Sequence, residues 1–504
     1  MRKIPATMAT QHPDNSCVPY WFGAERSPFI STKDEVEEAY RSFHDFDCEE
    51  YMWDWEGKHV DEAVVERFFE HYYKFFSKKQ LGKDVFLTFR VPNIWHEKGY
   101  RVARAFVNII AANDFVDEMG LHSPPIFECI LPMTTDAQKL FFIRKNYSQF
   151  VKAFNGLRKN SGPETIEMIP LVEEVHHMLE ADKILGGYVR LCNRDKDLKR
   201  RRISYLRPFI ARSDPALNAG IVPSVLGAKA ALSNSYKFEE DMGIPVYPII
   251  GVGSLFFRGG LSPNHIKEFC QEYAGVRTVT VQSAFRYDFG KDTAQKAIAK
   301  LNVGLHAKPE IMNHREMHKL AQAIGIFERQ YQPVVEAVAD DINRVAAFVP
   351  SHRERRLHIG LFGYSRKVGK KALPRAISFT SALYSLGVPP ELIGTGRGLK
   401  EAQKNGLMPV LEKNFVNLHV MLKYVGRYLN RENLETLARR NSAWKKVAED
   451  VALIEEFLGE PLEQEDADDM IHRNTTSNIL LQLGQKRNAE KEIRLAGQIR
   501  HSLG

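Results

Sequence analysis

Two carboxylates, Glu173 in IPLVEEV and Asp214 in ARSDPALNAG, each close a short β-rich run of the sequence. Carboxylates at neighbouring strand ends can share one hard cation. Magnesium suits such a pair, because few protein oxygens are needed and waters and substrate oxygens complete its octahedron. The same residues also read as helix caps or arginine partners; Asp214 before Pro215 has the form of an N-cap with proline at the first helical position. Arginines recur at comparable points. Arg90 closes VFLTFR, Arg258 stands in GSLFFRGGLSP, Arg286 follows Gln282 at the end of TVTVQSAF, Arg366 lies in GYSRKVGKK and Arg375 in ALPRAIS. Guanidinium groups grip phosphate and carboxylate bidentately, and Gly259 and Gly260 would let backbone approach a ligand closely. Ordinary ion pairing explains most arginines, so the weight lies on five of them beside two carboxylates. His12, in MATQHPDN, is followed by Pro13, which fixes the backbone, and by Asp14 and Asn15, which favour a turn. That arrangement describes a loop-borne imidazole able to act as a general base near neutral pH. His176 and His177 are adjacent, point roughly 100° apart on a helix and lack an HExxH pattern, so they read as surface groups or neighbours of the site.

The elements that must position these groups alternate in type. Amphipathic helical stretches run over 61–76, 135–157, 293–301, 315–347 and much of 432–458. Between them lie apolar, β-rich runs at 85–90, 126–132, 166–173, 206–214, 246–253, 278–285 and 357–362. Most are continuous rather than alternating, as expected of strands buried on both faces of a parallel sheet. Charged residues at the C-terminal ends of several such strands converge on one mouth in a (β/α)8 barrel, whereas an open doubly wound sheet would gather them at one crevice. Their spread over so many strands favours the α/β barrel of TIM type with additional helices. The expectation is one domain over 1–504, with the barrel over roughly 80–395. Helical additions over roughly 396–504 are expected to pack outside it and help build a subunit interface.

Composition sets the boundaries. The 504 residues are 44% hydrophobic, enough for a large core, and the net charge of +7 is a small difference between 70 basic and 63 acidic side chains. Such a mixed surface accommodates an anionic substrate without implying nucleic acid. The basic run at 194–202, RDKDLKRRR, has no interleaved aromatics and reads as a solvated face. The five cysteines, Cys17, Cys48, Cys129, Cys192 and Cys270, are odd in number and not at metal-ligand spacing, which points to a reducing, intracellular setting. No apolar run reaches the length of a membrane span and the N-terminus has no secretory h-region, so the expectation is a cytoplasmic protein with no membrane partner.

The motifs resemble those of archaeal-type phosphoenolpyruvate carboxylases. MATQHPDN, IPLVEEVHHMLEADKI, ARSDPALNAG, GVGSLFFRGGLSP, TVTVQSAFRYD and GYSRKVGKKALPRAISFTSALYSLGVPPELIG occur in the family's order and span most of the chain. The resemblance implies a phosphoenolpyruvate/pyruvate-enzyme-like barrel, a lyase that fixes carbon dioxide, and a homotetramer. It implies His12, Arg258, Arg366 and Arg375 as catalytic residues, and Glu173 and Asp214 as ligands of Mg2+, with Mn2+ as the alternative ion. Arg90, Gln282, Arg286, Gly259 and Gly260 are implied at the substrate. Where the larger members of the family carry a second glycine-rich arginine and a lysine, this chain has only FFRGG and Leu217; Arg212 and Lys229 are the substitutes considered.

The implied activity is anaplerotic: phosphoenolpyruvate and bicarbonate give oxaloacetate and phosphate, through carboxyphosphate and an enolate held by the metal. Two rivals share parts of this pattern. A citrate-lyase-like aldolase acting on thioesters would need both carboxylates and one arginine, but neither bicarbonate nor several phosphate-facing arginines. An RNA-binding protein using the 194–202 run would bind polyanions with a steep salt dependence and turn nothing over.

Overall fold

The computed structural model describes residues 3–23, 25–57, 59–121, 123–154, 156, 163–353, 367–369 and 371–504. Eight short parallel strands close into a barrel. They are β1 (Thr7–Ala9), β2 (Glu50–Asp54), β3 (Phe86–Arg90), β4 (Glu128–Leu131), β5 (Glu167–Val172), β6 (Phe209–Ala211), β7 (Ile249–Gly251) and β8 (Thr278–Val281). Each strand pairs with its sequence neighbours, and β8 returns to β1 with Thr280 opposite Met8. The barrel was expected over 80–395, but its strands run from Thr7 to Val281. β1 is only three residues long, and the acidic residues bounding β2 disguise it. The expected strand at 357–362 lies outside the described residues.

Side chains alternate across the barrel wall, as the two-residue period of a strand requires. Tyr51, Trp53, Leu87, Phe89, Met168 and Ile210 face the surrounding helices, while Met8, Met52, Ile130, Ile169, Leu171, Phe209 and Ile249 fill the interior. The helices that matter for the mouth are α1 (Glu35–His44), α2 (Ser213–Ala219), α3 (Ile221–Met242), α4 (Ser283–Tyr287), α5 (His314–Ala346) and α6 (Ala376–Ser385). Residues 395–499 add seven more helices, which bury a second core with α3 and α5.

A polar cluster closes the N-terminal end of the barrel. Arg207, fully buried, donates to both Glu50 oxygens at 3.0 and 2.7 Å, to Glu128 at 2.5 Å and to the Thr278 hydroxyl at 3.0 Å. Thr88 and Tyr205 satisfy the remaining capacity of the two carboxylates. A buried pair of carboxylates is tolerable only with its cation in place. Replacing Arg207 by Met should therefore destabilise the fold by about 3–5 kcal/mol, the cost of stranding a buried charge. Thermal unfolding of the variant checks this; an unchanged unfolding temperature would remove the cluster's structural role.

Candidate active site

The opposite, C-terminal end of the barrel opens into a cavity of about 190 Å³. Glu173, one residue beyond β5, follows the inward phase set by Ile169 and Leu171 and lines it. Asp214 lines it from the first turn of α2. The N-cap of that helix is Arg212 rather than Asp214, and no side chain caps it, so the capping role considered for Asp214 is not the one it plays. Tyr331 of α5 donates to the Leu217 carbonyl at 3.0 Å and braces α2 from behind. His12, Arg90, Arg258 and Arg375 line the same cavity. The Thr10 hydroxyl meets His12 Nδ1 at 2.9 Å and orients the ring.

The sequence reading passed over several neighbours. Glu56 lines the cavity and pairs with Arg90 at 3.1 Å, while Asp54 grips the same guanidinium at 2.9 and 2.6 Å. Both belong to the β2 region, and the acidic residues of MWDWEG are the signal that placing β2 correctly would have raised. Asp14 pairs with Arg258 at 3.0 Å. The 349–353 and 375–378 segments supply a further wall, including His352 and Arg353.

Other expected residues stand outside the cavity wall. Gly259 (φ +123°) and Gly260 (φ +75°) turn the chain after Arg258, and a Cβ on Gly259 would lie 2.3 Å from Val252. Their freedom serves this turn, and both line a separate small cavity that Arg212 also borders. Gln282 is buried and accepts from Arg258 at 2.6 Å, so it positions that arginine. Arg286 is buried on α4 and donates to Glu38, Ser42 and the Thr10 carbonyl, tying α1 to the loop before His12. Burial alone would raise the Glu38 pKa, but the charges of Arg353 and Arg286 win and hold it near 2. Leu217 packs in the second core. Neither Arg212, bonded to Tyr273 and Ser224, nor Lys229, bonded to the Glu272 carbonyl, reaches the main cavity. His176 and His177 flank the Glu174 carboxylate at 3.3 and 3.5 Å, away from that cavity. Arg366 lies outside the described residues.

The donor set fits a divalent cation. Burial, then the charges of Asp214 and Glu56, push Glu173 up to about 8 against the pull of Arg90 and a 2.5 Å hydrogen bond from the Met133 N–H. Arg90 is shared with Asp54 and Arg258 with Asp14, so the arginines do not cancel the acidic charge around Glu173. Glu173, Asp214 and Glu56 put carboxylate oxygens on one cavity wall, donors that suit a hard ion, although among the described residues the three ligand atoms that lie within 4.8 Å of one another are those of Glu174, His176 and His177.

A family model described as phosphoenolpyruvate carboxylase matches residues 4–504. The phosphoenolpyruvate carboxylase of Oenococcus oeni is 39% identical over 461 residues, covering 91% of this chain and 90% of that protein. The phosphoenolpyruvate carboxylase of Leuconostoc mesenteroides is 38% identical over 511 residues, covering 100% of this chain and 99% of that protein. The protein of the same name from Metallosphaera sedula is 38% identical over 526 residues and covers 100% of both.

The charge state of Glu173 dictates how cation binding depends on pH. Burial and the neighbouring acids favour the protonated form of the interacting Glu173–Asp214 pair, so a cation that binds there displaces a proton. Affinity for a divalent cation should therefore weaken as pH falls from 8.5 to 6.5, by up to about tenfold per unit, with proton release on binding. Calorimetric titration in buffers of different ionisation enthalpy measures both. A flat affinity without proton release would contradict the shared carboxylate site.

Proposed function

The chain belongs to the phosphoenolpyruvate carboxylase family, and from that membership we propose how its barrel mouth carboxylates phosphoenolpyruvate with bicarbonate to give oxaloacetate and phosphate. The observation that carries the reading is the gathering of His12, Glu173, Asp214, Arg258 and Arg375 around one cavity, from chain positions more than 360 residues apart. The family uses a divalent metal; magnesium on Glu173 and Asp214, with Glu56 beside them, is our assignment. When bound, that ion supplies positive charge opposite the negative charge that develops on the enolate side of the substrate.

The protein's own groups do the rest. Arg375 and Arg366 orient the phosphoryl group. Arg258 has four of its five N–H groups engaged, by Ser213, Asp14, Gly504 and Gln282, which leaves one on Nη2 for the substrate. Arg90, fixed by Asp54 and Glu56, presents its remaining donors to the substrate carboxylate. A bicarbonate oxygen attacks phosphorus, the bond from phosphorus to the enol oxygen breaks, and carboxyphosphate and the enolate result. His12 takes the proton of the carboxyphosphate carboxyl group. The C–O bond to phosphate then breaks, giving carbon dioxide and a phosphate that recovers the proton. The enolate carbon attacks carbon dioxide to form oxaloacetate. Water must be kept out meanwhile, because a stray proton would turn the enolate into pyruvate. We place the enzyme in the cytoplasm as a homotetramer. Among the described residues the five cysteines are unpaired and no helix is long and apolar enough to cross a membrane.

Two measurements test this. In an assay coupled through malate dehydrogenase, NADH oxidation should require phosphoenolpyruvate, bicarbonate and a divalent cation together; folded protein with no signal would return the weight to a thioester-cleaving aldolase. In His12→Asn, oxaloacetate formation should fall by at least about 100-fold, the scale of losing a general base, while bicarbonate-dependent phosphate release continues with pyruvate as product. Loss of phosphate release from a folded variant would assign His12 elsewhere.

A further inference from the structure

His352 has no part in the reaction as derived above, yet it lines the catalytic cavity. It is 2% exposed and its ring finds no side-chain partner; only the Asn15 backbone faces one ring nitrogen, and the other is left unused. Its neighbours in the wall are differently placed: Arg90, Arg258 and Arg353 are engaged by carboxylates, and His12 by Thr10. A buried imidazole with an unused nitrogen in the wall of a cavity is a cost that a ligand in that cavity would relieve. Burial, with Arg494 and Arg353 close by, holds the ring near a pKa of 4 although the Asn15 backbone favours the charged form, so the imidazole is neutral at physiological pH.

The position of His352 indicates which ligand. Residues 349–352 line the catalytic cavity on one side and a second, more open cavity of about 410 Å³ on the other, where Arg494 stands. The wall between them is one segment thick, and His352 is its polar member with an unused ring nitrogen. Phosphoenolpyruvate carries several negative charges and no hydrogen to donate, and the arginines answer it. Bicarbonate is a small monoanion with its own O–H, and it must keep a nucleophilic oxygen. An arginine on that oxygen would draw off its electron density, whereas a neutral ring nitrogen can hold the hydroxyl end and leave the oxyanion directed at phosphorus.

We propose that His352 is the positioning residue for bicarbonate, holding its hydroxyl by a hydrogen bond from the wall shared by the two cavities while the oxyanion attacks, and releasing that hydroxyl to His12 once carboxyphosphate has formed. This rests on the carboxylase reading and adds to it the residue that recognises the second substrate. The test is steady-state kinetics of the parent beside His352→Ala, His352→Asn and His352→Gln, varying bicarbonate and phosphoenolpyruvate separately. In His352→Ala, KM for bicarbonate should rise at least tenfold while KM for phosphoenolpyruvate stays within twofold. One of the two amides, whichever places its polar atom at the working ring nitrogen, should bring KM for bicarbonate back to within threefold of the parent. A bicarbonate KM within twofold of the parent in His352→Ala overturns the assignment, as does a parallel rise in both KM values. If His352→Ala does not accumulate as folded protein, the amides decide. One amide near the parent and the other raised for bicarbonate alone supports the assignment; both unchanged, or both raised for the two substrates alike, overturns it. An inactive parent would sink the carboxylase reading and this inference with it, whereas an active parent with an unaffected His352→Ala sinks this inference alone.

Discussion

One buried guanidinium sets the geometry of the mouth. Arg258 donates to Asp14 at 3.0 Å, Gln282 at 2.6 Å, Ser213 at 3.2 Å and the Gly504 backbone oxygen at 2.6 Å. Asp14 lies two residues after His12, and Ser213 immediately precedes Asp214, so one side chain references both the His12 loop and the Asp214 carboxylate. Asp14 also accepts from the Ala284 N–H at 2.8 Å, which carries the link into α4. The arrangement is costly. Burial pushes the Asp14 pKa up and the Arg258 pKa down, and their attraction works against both shifts. A buried pair of this kind contributes specificity more than stability, since removing either partner costs about 3–5 kcal/mol while the intact pair gains little over an apolar substitute. Gly253 makes room for it: a Cβ there would lie 2.8 Å from Arg258 Nη1.

The two ends of the barrel use the same residue types for opposite purposes. At the N-terminal end, Arg207 meets Glu50 and Glu128, and hydroxyls from Thr88, Tyr205 and Thr278 take up the remaining capacity. That cluster is closed. At the C-terminal end Glu173 meets Asp214 and Glu56, and burial together with those charges raises its pKa. The closed end satisfies its carboxylates with hydrogen bonds and exposes none to a ligand, whereas the carboxylates at the open end line a cavity that a cation and an anionic substrate can enter.

The legible part of the site was the part that obeys strand periodicity. Glu173 and Arg90 continue the inward phase of β5 and β3, and each faces the cavity. Arg212 follows β6 one residue out of phase, so it turns outward to Tyr273 and Ser224. Arg286 sits on a helix rather than a strand end, and its spacing from Val281 carries no inward direction. Gly259 and Gly260 were read by the company of Arg258, whereas their positive φ angles serve a turn that packs against Val252 and Phe256. The β1 and β2 strands escaped notice because three residues are too few for a pattern and because β2 begins and ends with acids. With β2 went Asp54 and Glu56, the residues that hold Arg90.

Enclosure was the property least visible in the sequence, and the reason is topological. Eight strand ends make a ring of side chains but no roof, so whatever closes the mouth must come from elsewhere in the chain. Helices beyond the barrel were expected to pack outside it, and their second core does so. Segments between and after those helices nonetheless return to the mouth: 349–353 and 375–378 form part of its wall. At the last residues, the Leu503 N–H donates to the Asp14 carbonyl at 2.7 Å and Gly504 accepts from Arg258. The first contact joins positions nearly five hundred residues apart and the second positions 246 apart, and no local pattern of hydrophobicity or charge encodes them. They supply Asp14 and Arg258, both buried, with partners that the nearby chain alone does not provide. The charged hub that fixes the His12 loop thus also binds residues 503–504 across it.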